Sequence, residues 1–121
     1  MICMMFSITD AMIGWIVSLG YAAATHRFSG APDELVTVER TGGPVRGWVD
    51  HPTIAVQCWA PTDRRAEEMA NELRLALITR ATPAGIHKVR ADSGPYPYPD
   101  QDSRIPRYQF VLNVSCQLTT E

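Results

Sequence analysis

The alternation along Tyr108–Leu118 constrains this chain more than any other stretch. Tyr108, Phe110, Leu112, Val114, Cys116 and Leu118 recur at every second position. Gln109, Asn113, Ser115 and Gln117 fill the places between them, with Val111 as the exception. Successive side chains of a strand point to opposite faces, whereas those of a helix rotate by about 100° per residue. The pattern therefore predicts a long strand with one buried side. At about 2 kcal/mol for each large apolar side chain, this strand is the largest single contributor to the core. It also sets register, because a slip of one residue would turn the whole apolar set to water.

The segment just before it is the most unusual in composition. Asp92-Ser-Gly-Pro-Tyr-Pro-Tyr-Pro-Asp-Gln-Asp-Ser-Arg-Ile-Pro-Arg107 alternates proline with tyrosine and then turns polar. Pro95, Pro97 and Pro99 hold the backbone extended and remove donors, so the segment cannot pair like an ordinary strand along its length. Connections this long are usually functional or disordered. A stiff, polyproline-like backbone lowers the cost of ordering on binding, and tyrosine is enriched at interfaces. Tyr96, Tyr98, Asp100, Arg104 and Arg107 are accordingly the expected contact residues, with the Gly42–Gly43 turn as a second contact point.

Taken from its start, the chain first predicts a helix capped by Ser7 or Thr9 and running to about Leu19. Met12, Ile13, Trp15, Ile16 and Leu19 line its apolar face, and Gly20 ends it. Tyr21–Phe28 reads as a short extended piece and Ser29–Asp33 as a loop. Leu35–Thr41 is rich in β-branched residues and reads as a strand. Thr41-Gly-Gly-Pro44 reads as a turn, Val45–Val49 as a short return strand, and Asp50-His-Pro52 as a second turn. Thr53–Ala60 is the third strand, with Ile54, Val56, Cys58 and Ala60 on one face and Thr53, Gln57 and Trp59 on the other. Thr62 is placed to cap a second helix ending near Arg80, whose buried stripe is Ala66, Met69, Ala70, Leu73, Ala76 and Leu77. Its charged residues read as a solvated face. Ile86–Ala91 is the fourth strand. The order is α-β-β-β-α-β-β, which predicts an α+β fold: an antiparallel sheet of four to five strands with two helices packed on one face. The reading is a single domain over 1–121, with 1–6 as an N-terminal segment of no clear pattern.

Composition narrows the function. A chain of 121 residues has room for one domain with a real core. Net charge is −2 and the basic residues are scattered along the sequence, so no basic field for gripping nucleic acid is expected. Met1–Ala24 carries only Asp10 as a charge, lacks a basic leader region and is broken by Gly14, Ser18 and Gly20. It reads as a core helix rather than a signal peptide or a membrane span. Cys3, Cys58 and Cys116 are far apart with no C-x-x-C spacing, which argues against a disulfide framework or a zinc site and for a reducing compartment. His26, His51 and His87 are isolated, and paired carboxylates such as Glu67-Glu68 lie on a helix face. No catalytic, metal-binding or cofactor-binding residues are assigned.

Several phrases together resemble the tail terminator (tail completion) family of long-tailed bacteriophages. They are Val38-Glu-Arg-Thr-Gly-Gly43, then Val49-Asp-His-Pro-Thr-Ile-Ala-Val-Gln-Cys-Trp-Ala60, the Thr62–Leu77 helix, Gly94-Pro95, and Pro106-Arg-Tyr-Gln-Phe-Val111. The resemblance covers about Leu35–Gln117. It implies a structural virion protein, not an enzyme and without cofactors, assembled in the host cytoplasm and placed at the head-proximal end of the tail. Such protomers form a homo-oligomeric ring, typically a hexamer, on the last ring of tail tube protein. The ring stops tube polymerisation and offers a surface to the head-tail connector protein, with DNA passing through without specific binding and no membrane involved. Other readings of the same residues are a different neck or minor tail protein, a small cytoplasmic enzyme with its histidines and cysteines in a cleft, and a monomeric ligand-binding domain.

Overall fold

In the computed structural model, which describes residues 5–119, the chain runs α1 (Ile8–Ser18), β1 (Ala23–Ala24), β2 (Leu35–Gly42), β3 (Val45–Arg46), β4 (Val49–Asp50), β5 (Thr53–Trp59), α2 (Asp63–Thr79), β6 (Ile86–Ala91), β7 (Tyr96–Pro97) and β8 (Arg107–Gln117). The class is α+β: two helices and one mixed sheet. Cys3 and most of the 1–6 segment lie outside the described residues. Met5 and Phe6 are tied to the end of the chain, by a bridge to Thr119 and by the Phe6 amide donating to Leu118 O at 3.0 Å.

The sheet has eight strands rather than four to five because three of its rows are interrupted. β4 and β5 share one register against β8, from Val49↔Gln117 and Asp50↔Cys116 on to Thr53↔Asn113 and Trp59↔Arg107. They form one row, broken where Pro52 has no amide to donate. Val114 N donates to Pro52 O at 3.0 Å across that gap. β2 and β3 form a second broken row, and β6 and β7 a third on the other edge of β8. The rows are thus β1, β2 with β3, β5 with β4, β8, and β6 with β7.

Two expected turns are corrected. Thr41–Pro44 and Asp50–Pro52 do not reverse the chain, and Val45–Val49 is not a return strand. The reversal lies between Arg46 and Val49, at Gly47 (φ +61°) and Trp48. That is the glycine-first pattern of a tight hairpin turn. The strand instead bulges at Thr41, with the register shifting between Arg40 and Gly42, and then runs on through Gly42–Gly43. Gly43 is needed there for space as well as for its φ of +103°. A Cβ would stand 2.0 Å from His51 O and 2.8 Å from Pro52 Cα. Arg40 holds the bulge: its guanidinium donates to Gly42 O and Gly43 O at 3.1 Å each, and to both carboxylate oxygens of buried Asp50 at 2.6 and 2.8 Å. A second departure is that β1 runs parallel to β2, Ala23↔Val36. The connection over 25–34 is a loop rather than a tight turn, so it does not impose an antiparallel reversal.

Both helices are capped at expected residues, α1 by Ser7 and not by the alternative Thr9, and α2 by Thr62. Asp10 N donates to Ser7 Oγ and Arg65 N to Thr62 Oγ1, each at 3.2 Å. Such caps satisfy amides that have no partner inside the helix. Both helices lie on one face of the sheet. Met12, Trp15 and Ile16 from α1 and Ala66, Met69, Ala70, Leu73 and Leu77 from α2 bury there against Val36, Val38, Ile54, Val56, Cys58, Phe110, Leu112, Val114 and Cys116. Tyr108 and Leu118, the ends of the alternating stretch, are only half-buried.

Candidate interface

The second face of the sheet carries no helix, yet its centre is dry. Leu35, Thr37, Ala55, Gln57, Trp59 and Gln109 are all buried. Gln57, Trp59 and Gln109 are thus not on an open surface, as simple alternation suggests. Their polar groups are spent on one another. Trp59 Nε1 donates to Thr37 Oγ1 at 3.0 Å, Thr37 Oγ1 donates to Gln57 Oε1 at 2.7 Å, and Gln57 Nε2 donates to Gln109 Oε1 at 2.6 Å. Gln109 Nε2 completes the series by donating to the Tyr96 hydroxyl. Buried polar groups persist when paired in this way.

The proline–tyrosine segment covers that ladder. β7 pairs with the start of β8, Tyr96↔Gln109 and Pro97↔Tyr108, and then leaves the sheet. Tyr98 N donates to Arg107 O at 2.8 Å and Arg107 Nε donates back to Tyr98 O at 2.7 Å. The Arg107 guanidinium lies 4.6 Å from the Trp59 ring centroid and 4.7 Å from that of Tyr98. Arg27 approaches the same indole at 5.6 Å, with its Nη1 buried and without a hydrogen-bond partner. Tyr96 and Tyr98 meet edge to face at 6.3 Å. Tyr96, Tyr98 and Arg107 therefore come together as one aromatic–cationic cluster. Each tyrosine keeps a share of its ring in solvent, 36% and 45% of the residue.

The other expected contact residues lie apart from this cluster. Asp100 serves the turn beyond it: its carboxylate accepts from the Ser103 amide at 3.0 Å and from the Ser103 hydroxyl. Those bonds, the hydroxyl first, hold its pKa below the usual carboxylate range. Arg104 closes the turn in the left-handed region, φ +58°, its amide donating to Asp100 O at 2.9 Å. Gly42 and Gly43 lie just past the bulge, at the far end of β2.

That far end carries a surface the sequence reading missed. Every residue from Glu39 to Trp48 is exposed, so the β2–β3–β4 hairpin ends in a bare arm. Its apolar tip is Val45, 50% exposed, and Trp48, 82% exposed. β3 pairs only with β4 among the described residues, so its outer edge is open. A Gly-Trp pair between Val45-Arg46 and Val49-Asp50 was the available signal. The chemistry elsewhere is quiet: burial pushes the Cys58 thiol up to about 12 and that of Cys116 up to about 11, so neither is a ready nucleophile.

A scan against protein families finds no match for this chain, and a search of curated proteins finds none either.

Proposed function

We propose that this chain is a tail terminator of a long-tailed bacteriophage, a non-enzymatic virion protein that assembles as a ring on the end of the tail tube, stops its growth and joins it to the head connector. The observation that carries the reading is the exposed hairpin arm, Glu39–Trp48, with its open β3 edge and apolar tip. An unpaired edge is a template for strand addition from a neighbouring chain, and exposed large apolar groups mark contact surfaces. The phrases on which the resemblance rests support the same reading. Val38–Gly43 and Val49–Ala60, joined through the hairpin, and the distant Pro106–Val111 make up the adjacent central rows of the sheet. The Tyr98–Arg107 cluster is the second contact surface. Electron microscopy of the purified protein mixed with tail tubes tests the reading. Caps seated on tube ends are expected, as are tubes of uncontrolled length that fail to join heads when the protein is missing. Tails of normal length that attach normally without it would exclude the role. A stable monomer in light scattering that ignores tubes would favour the ligand-binding alternative.

A further inference from the structure

Three of the eleven basic residues gather in space. Arg46, Lys88 and Arg90 converge with His51 around a cavity of about 390 Å³ on the helix-free face of the sheet. Register explains the gathering. Lys88 pairs with Ser115 and Arg90 with Asn113, on one edge of β8. Thr53 pairs with Asn113 on the other edge, and His51 Nδ1 lies 3.3 Å from Ser115 Oγ. Two neighbouring cross-strand rows therefore carry Lys88, Ser115 and His51, then Arg90, Asn113 and Thr53. Arg46 overhangs them from the hairpin arm. Alternate residues of one strand stand about 7 Å apart on the same face, so Lys88 and Arg90 aim at adjacent points.

The field of this cavity is uncompensated. Among the described residues, no aspartate or glutamate lines it. Among the described residues, Arg46, Lys88 and Arg90 make no ion pair and no side-chain hydrogen bond, although the protein as a whole has a net charge of −2. The neutral groups add donors. Thr53 Oγ1 donates to Asn113 Oδ1 at 3.3 Å, which fixes the amide with its Nδ2 hydrogens left for a ligand. We infer that this cavity binds a small, multiply charged phosphate-class anion, such as pyrophosphate or the phosphate end of a nucleotide. Two guanidinium forks and an ammonium match a phosphate's several oxygens, whereas one carboxylate would leave most donors unused. The volume falls in the range of small-ligand pockets, about 300–1,000 Å³. Pro44 and Val114 are the apolar lining residues, and among the described residues no Phe, Tyr or Trp lines the cavity as a platform for a base. The inference rests on this geometry and not on the tail terminator reading.

Isothermal titration of the full chain with pyrophosphate at matched ionic strength tests it. Saturable binding is expected, weakened by at least ~10-fold, equivalent to about 1.4 kcal/mol, in Lys88→Gln/Arg90→Gln. That double variant should keep the melting temperature of the ligand-free protein. Arg64→Gln, on the exposed face of α2, should bind as wild type does. Inorganic phosphate, a nucleoside diphosphate and succinate complete the series, with succinate expected to bind far more weakly. No saturable heat with pyrophosphate, equal binding of succinate, or binding untouched by the double variant would overturn the inference. So would a short oligothymidylate that binds where pyrophosphate does not, which would make the site a polynucleotide groove. Arg46→Gln, distant in sequence from β6, provides an independent variant should the double substitution disturb folding.

Discussion

Gln57 Nε2 donates to Gln109 Oε1 at 2.6 Å between β5 and β8, on the face of the sheet that carries no helix. Both side chains are more than nine-tenths buried, and each has a second partner, Thr37 for Gln57 and Tyr96 for Gln109. The bond joins the loop-covered side of the molecule to its central strands. Gln109→Ala strands the Gln57 amide and should cost about 1–3 kcal/mol in urea melts. Gln57→Leu combined with Gln109→Leu should cost less than the two single changes summed, because the pair leaves together. Strict additivity would mean that the two amides are not coupled.

Gly43 cannot be replaced quietly. A Cβ there collides with the His51 carbonyl and the Pro52 backbone, and the φ of +103° is one that side chains resist. Gly43→Ala should therefore destabilise by more than about 1 kcal/mol, the opposite of the gain seen where alanine fits. A variant as stable as wild type in thermal melts would show that the close approach to His51 and Pro52 relaxes at little cost.

Trp48 is the reverse case. At 82% exposure it contributes little to the folded monomer. Trp48→Ser should change stability by no more than about 0.5 kcal/mol, as for ordinary surface positions. If the hairpin arm is the contact surface, the same change should reduce self-association in light scattering and occupancy of tube ends in micrographs. Assembly equal to wild type would move the contact elsewhere.

Alkali should unfold the protein from its core. Burial raises the Cys58 thiol from 9.0 to about 12 and Cys116 from 9.0 to about 11. Burial, with a hydrogen bond to Glu72 second, raises Tyr21 from 10.0 to about 12. The fold keeps these protons longer than the unfolded chain does. Their contribution is complete below about pH 9 and is lost as pH rises toward 12. Urea midpoints measured from about pH 8 to about pH 10.5 should fall for wild type and fall less steeply for Cys58→Ala. Parallel slopes would place the loss in other groups.

Much of the frame was legible in local patterns. The alternation through Phe110, Leu112, Val114 and Cys116 marks the central strand, because a half-buried strand has no other way to satisfy both faces. Ser7 and Thr62 mark the helix starts, because capping is a contact within a few residues of chain. The hairpin turn was misplaced because Gly42-Gly43 has the composition of a turn while serving a close approach to His51 and Pro52, which only a facing strand creates.

The helix-free face was beyond the reach of pattern. Gln57 and Gln109 have the same polarity whether they meet water or each other, so nothing in their order along the chain distinguishes a solvated row from a buried ladder. The same holds for Arg46, Lys88 and Arg90. Arg46 is separated from Lys88 and Arg90 by a helix and two strands, and the three share a cavity because the pairings of β3, β4, β6 and β8 bring them together. Local chemistry determined which segments became strands and helices and which side of β8 faced the core. Register between distant segments decided where the chain reverses, what the second face buries and where its positive charge collects, because cross-strand neighbours are set by pairings summed over the whole sheet.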